Sequence, residues 1–315
     1  MVSNTPSTTR RRSAIALALI GALVLALTAT ACASTDQSDA GRVRIVATTP
    51  LLGDLVARVG GDAVAVEVLI PRGADPHDFE PSAAQAARLR DADLVIANGL
   101  GLEERLESTL RGAAKDGTPM VELGAALDPI TRPGSDEPDP HVWLDPDRMA
   151  RAATLVADEL TRRTSIDPTA LTVNAAAYAD AARTAAADAA RILDHVPPAQ
   201  RLLVTNHDAL EYFANRFGYR VIGTIIPGGS TLAEPSAADL RELVATINAT
   251  GVNAIFSEST SSAKLAETLA REVGTRVSVV ELSTDTLGEP GSDTASYPDL
   301  ITTTARSIAD GLLGR

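Results

Sequence analysis

Asp167 is a good helix N-cap and Pro168 a good first helical residue, and from there to Leu193 the chain is rich in alanine with no glycine or further proline. His195, Pro197 and Pro198 end the run. The spacing predicts one helix of roughly 27 residues, about 40 Å long. Alanine loses no side-chain entropy in a helix and lets neighbouring elements lie close. Such a helix is long enough to run along two lobes as a rigid strut.

The residues on either side support two lobes. VRIVATT from Val43, VAVEVLI from Val64, LVIANG from Leu94 and MVELG from Met120 read as buried strands. Between them LLGDLVARVG, SAAQAARLRDA and LEERLESTLRG have apolar residues at helical spacing. Thr49-Pro50 sets up the start of the first helix and Gly60-Gly61 its end. The same grammar restarts after residue 200, with RLLVTNH, YRVIGTI, NAIFSES and RVSVVEL as strands. Helices are expected over Ala237–Ala249, Ser262–Val273 and Asp299–Leu313. Alternation of this kind predicts an α/β fold in which each lobe is a mainly parallel sheet flanked by helices. About 270 residues exceed the usual size of one core, which again favours two. The expected division is an N-terminal lobe over 43–166, a linking helix over 167–197 and a C-terminal lobe over 198–315.

Residues 1–31 read as a signal peptide: Arg10, Arg11 and Arg12 precede an apolar run, Ala14–Leu27, too short for a comfortable membrane span. Small residues then lead to the only cysteine, Cys32. LTATACAS resembles the lipobox of bacterial lipoproteins, with Ala29 where leucine is usual, and this implies lipidation at Cys32 and a membrane-anchored, extracytoplasmic protein. Residues 32–42 are small and polar and read as a flexible tether. A chain beginning at Cys32 has 25 basic against 41 acidic residues, a net charge of −16. That balance argues against nucleic-acid binding, and it raises the local concentration of cations. With its one thiol lipidated, the protein has neither a disulfide nor a cysteine-ligated metal.

The chain has four histidines, and two of them sit in a repeated tripeptide, Asp-Pro-His at 75–77 in ADPHDFEP and at 139–141 in PDPHVWLDP. Proline fixes its own φ and holds the preceding residue extended, so each imidazole is presented from a stiff elbow. His207 closes the strand-like RLLVTNH, and Asp285 follows VSVVEL. Three imidazoles and a carboxylate form a ligand set for zinc. His77, His207 and Asp285 fall at carboxyl ends of expected strands, where open parallel sheets bind ligands, and His141 precedes a helix starting at Asp145-Pro146. Two ligands then come from each lobe and meet in the cleft between them. His195 has no companion and reads as a helix-end residue, and Trp143 as packing. Asp75, Asp139, Asp145 and Asp208 are candidate partners for the imidazoles, or caps and turns. Asp285 lies in a loop beside Glu281, Glu289 and Asp293 as alternative carboxylates, and is expected to close over a metal held by the histidines.

From Cys32 to Arg315 the chain resembles the metal-binding lipoproteins that serve zinc and manganese ABC importers. DPHDFEP, PDPHVWLDP, NHDALEYFANRFGYRVIG and TDTLGEPG correspond in order to that family's ligand-bearing segments. The resemblance implies metal at His77, His141, His207 and Asp285, clamped between two lobes bridged by one long helix. It also implies a monomer that carries Zn²⁺, or alternatively Mn²⁺, to an ABC permease. Zinc-uptake members often have a long His-rich loop before the second ligand, where this chain has the short acidic GSDEPDP. Manganese members usually have glutamate at the third ligand, where this chain has His207; nitrogen donors favour zinc. Two other readings are a surface adhesin and a secreted zinc hydrolase. No HExxH helix or general-base glutamate supports the hydrolase, and Asp285 would fill the position that catalysis needs open.

Overall fold

The computed structural model describes Met1 and residues 41–274 and 277–315. The signal segment, Cys32 and nearly all of the tether lie outside the described residues. The first sheet has β1 (Val43–Ala47), β2 (Val64–Val68), β3 (Leu94–Ala97) and β4 (Met120–Glu122) in the order β2-β1-β3-β4. All its pairings are parallel, with Val43 opposite Val64, Ile45 opposite Leu94 and Val95 opposite Met120. Each crossover is a helix: α1 (Pro50–Gly60), α2 (Ala83–Asp91) and α3 (Glu107–Lys115). Thr49 caps α1 by accepting from the Leu52 amide, and Gly61, at φ 56°, ends it in a conformation that a side chain would strain. Ser82 and Gln85 cap α2 reciprocally.

LEERL was expected to open α3, but the helix starts only at Glu107. Glu103 is the reason, because its buried carboxylate accepts from the Thr48 hydroxyl (2.7 Å) and from the amides of Asn98 (2.8 Å) and Gly99 (3.0 Å). A side chain committed to the strand ends cannot sit on a helix face.

After β4 a short hairpin, bridged between Thr131 and Pro138, leads to α4 (Pro146–Arg163) and then to α5 (Pro168–Leu193), 26 residues long. The second sheet consists of β5 (Leu202–Thr205), β6 (Arg220–Thr224), β7 (Ala254–Glu258) and β8 (Ser278–Leu282). Its order, β6-β5-β7-β8, repeats that of the first sheet, again wholly parallel. Its helices are α6 (Glu211–Phe217), α7 (Ala237–Thr250), α8 (Lys264–Val273) and α9 (Tyr297–Leu313).

The long helix α5 packs on α4 and α9 and touches α1. Its buried face is largely alanine, including Ala175, Ala179, Ala182, Ala186 and Ala189, which permits this close approach. Near its start Asn174 donates to Val59 O (3.0 Å), and at its end Leu193 O accepts from Tyr219 (3.0 Å), so it is fastened to both halves. One apolar core runs continuously from Ile45 and Leu94 through α4 and α5 to Phe256 and Tyr297. Each sheet carries a second cluster on its other face, around Leu69, Val95 and Leu110 in the first half and Val204, Ile255 and Leu269 in the second. No helix among the described residues is long and apolar enough to cross a membrane.

Candidate metal centre

Both Asp-Pro-His tripeptides fold the same way. The Asp75 carboxylate accepts from the His77 amide and the Asp139 carboxylate from the His141 amide, each at 2.9 Å, so a side-chain turn sets each imidazole. The two carboxylates then differ. Asp75 Oδ2 takes the Thr231 hydroxyl across the cleft at 2.5 Å, whereas on Asp139 the same oxygen, Oδ1, also contacts His141 Nδ1 at 2.7 Å and Oδ2 has no hydrogen-bond partner. Of the four candidate aspartates, Asp139 alone contacts an imidazole ring nitrogen. Asp145 caps α4 and pairs with Arg148, and the Asp208 amide donates to Gly228 O.

His207 lies two residues past the end of β5, and His77, His141 and His207 are all completely buried. Their rings converge, with centroids 5.5 Å apart for His77 and His141, 5.4 Å for His77 and His207, and 5.0 Å for His141 and His207. His141 Nε2 and His207 Nε2 are 3.1 Å apart. Each imidazole offers one nitrogen within 4.8 Å of the other two, a set that could hold a metal ion. Asp285, 1% exposed, meets the same 4.8 Å limit in a second group with His207 and Glu258, and neither of its oxygens has a hydrogen-bond partner. Glu281, Glu289 and Asp293 are exposed. His195 lies exposed just beyond α5.

Away from this centre each imidazole faces a carboxylate. His207 Nδ1 is 2.6 Å from Glu258 Oε1, His141 Nδ1 is 2.7 Å from Asp139, and His77 Nδ1 is 3.5 Å from Glu104 Oε1. For His141 and His207 a carboxylate within hydrogen-bond reach of Nδ1 orients the ring so that Nε2 faces inward. Neither Glu258 nor Glu104 stood out in the sequence. Glu258 ends strand β7, the kind of place where ligands collect, and that position was the available signal. Glu104 was hidden inside the helical reading of LEERL.

Burial dominates the charges here and is answered differently at each group. It pulls the His207 pKa down, but the Glu258 charge and hydrogen bond, with Asp285, outweigh it and hold the imidazole at about 9. Burial lifts Asp285 to about 7, with repulsion from Glu258, against attraction by His207 and His77. Burial also lifts Asp139 to about 7, against the His141 amide. His141 is driven well below the usual range, by burial and then by His207 and His77. Without a metal, a proton on His207 supplies the cation that the acidic groups require. A divalent ion would supply it better.

Trp143 packs edge-on against His141, and its Nε1 donates to Thr284 O at 2.7 Å, which pins the Asp285 loop to the opposite half. Tyr297 donates to Trp143 O (2.7 Å) and Tyr212 to Asp139 O (2.8 Å).

The zinc-uptake complex component A family, described as periplasmic, matches residues 45–311. The chain is 31% identical to the zinc-binding protein TroA of Treponema pallidum over 288 residues, covering 89% of this chain and 92% of that protein. It is 26% identical to the manganese-binding lipoprotein MntA of Halalkalibacterium halodurans, covering 92% and 96%. It is 27% identical to the iron-binding protein YfeA of Yersinia pestis, covering 95% and 96%. The solved structure of the Treponema pallidum protein superposes with a TM-score of 0.80 at 29% identity, covering 86% of this chain and 99% of that one.

Proposed function

The chain belongs to the zinc-uptake complex component A family of metal-binding ABC-transporter substrate-binding proteins, and from that premise we propose that it captures zinc and hands it to an ABC importer. Members of this family are transport proteins rather than enzymes. On this reading the inward nitrogens of His77, His141 and His207 and a carboxylate oxygen of Asp285 hold the ion. The observation that carries it is the pairing of three converging imidazoles with outward carboxylates. Three nitrogen donors and one oxygen suit zinc, which also outranks manganese in intrinsic affinity at such sites. Relatives named for manganese and iron make those ions the competing cargoes.

The proposed lobes are 43–166 and 198–315 with 167–197 between them, and the proposed anchor is a lipid on Cys32. Elemental analysis of protein purified without added metal, followed by zinc and manganese titration, tests the cargo. Zinc at one per chain and tighter zinc binding support the reading, and manganese retained in preference to zinc overturns it. Cys32→Ala should release the protein from membranes; a variant that stays bound through alkaline washing refutes the anchor.

A further inference from the structure

The three outward carboxylates differ in one respect. Asp139 is wholly buried and Glu258 is 3% exposed, whereas the Glu104 side chain is 37% exposed. Glu104 lines a cleft of about 500 Å³ together with Arg132, Glu137, Gly229 and Ser230, so it touches the outside and His77 at once. His77 is also the least restrained of the imidazoles. His141 and His207 are tied to carboxylates at 2.7 Å and 2.6 Å, while neither ring nitrogen of the fully buried His77 has a hydrogen-bond partner.

We propose that Glu104 is a transient capture site for the incoming divalent cation, the carboxylate of this cleft that also contacts a proposed ligand, from which the ion passes to His77. This rests on the metal-binding reading above. One carboxylate oxygen replaces one water of the hydrated cation; when the ion moves inward to His77, Glu104 is freed to accept a hydrogen bond from His77 Nδ1–H. The competing cation in the cleft, Arg132, is itself paired with Glu137.

Stopped-flow mixing of the metal-free protein with Zn²⁺ at low and high ionic strength tests the proposal, with Glu104→Gln, Glu104→Asp and Asp139→Asn as variants. Steering by a single carboxylate in a cleft is worth roughly tenfold in association rate. Glu104→Gln should therefore associate about tenfold more slowly with a flattened salt dependence, and Glu104→Asp should recover most of the rate. Asp139→Asn should act mainly through faster release. Glu104→Gln with wild-type association, whether release is unchanged or faster, reduces Glu104 to a bystander or an orienting group and overturns the proposal. Failure of the wild-type protein to bind zinc overturns the underlying metal reading as well.

Discussion

The sheets β2-β1-β3-β4 and β6-β5-β7-β8 share order and direction, yet the ends of their corresponding strands do different work. In the first half the central strand β1 runs into Thr48 and Thr49, a glutamate clamp and a helix cap; in the second, β5 runs into His207. A buried glutamate lies behind each third strand. Glu103 is held by two backbone amides and a hydroxyl, whereas Glu258 holds an imidazole. The first half brings its histidines on stiff loops well beyond the sheet, and the second brings His207 only two residues past the end of its central strand. Identical topology thus supplies a rigid wall on one side and a charged, proton-holding wall on the other.

The largest expected consequence is in pH. His207 has a folded pKa raised to about 9, so the stability it lends the metal-free protein is present below its ordinary value near 6.5 and is lost as pH rises through 9. Metal must displace that proton, so zinc affinity should rise about tenfold per pH unit, roughly a hundredfold between pH 7 and 9, and then level off. Below pH 7 the slope should steepen as Asp285 also takes up a proton. Competition titrations against a chelator of known pH dependence would measure this, and a flat profile from 7 to 9 would place the proton elsewhere.

Next in size is the contrast between the two glutamates. Glu258→Gln should weaken zinc binding by roughly 10- to 100-fold, the usual effect of losing a carboxylate behind a ligating imidazole, and flatten the slope between pH 7 and 9. Glu103→Ala leaves three buried donors without an acceptor and should lower the stability of the metal-free protein by about 3 kcal/mol, with zinc affinity changed much less. Calorimetric titration and urea unfolding of both variants separate the two effects; similar losses of affinity in both would erase the distinction. The smallest effect belongs to Thr231→Val, which removes the single hydrogen bond to Asp75 across the cleft. Its loss should weaken zinc binding by less than about tenfold, read in the same titration.

Much of the fold was legible because its signals are local. Thr49-Pro50, Asp145-Pro146 and Asp167-Pro168 announce helix starts through hydrogen bonds made within a turn. The Asp-Pro-His repeat announced its imidazoles for the same reason. What stayed hidden depends on contacts between distant segments. Glu258 meets His207 across 51 positions and Trp143 reaches Thr284 across 141, and no local pattern encodes either meeting. Glu103 and Glu104 sit in a sequence with good helical spacing, and burial of Glu103 against the strand ends overrides that propensity.

A crystal structure of the zinc-loaded protein, with anomalous diffraction at the zinc edge, tests the central claim most directly. The account predicts one buried zinc with nitrogens of His77, His141 and His207 and an oxygen of Asp285 at about 2.0–2.2 Å, two ligands from each half. Zinc bound outside the cleft, or inside it with water in the place of Asp285, would contradict the account.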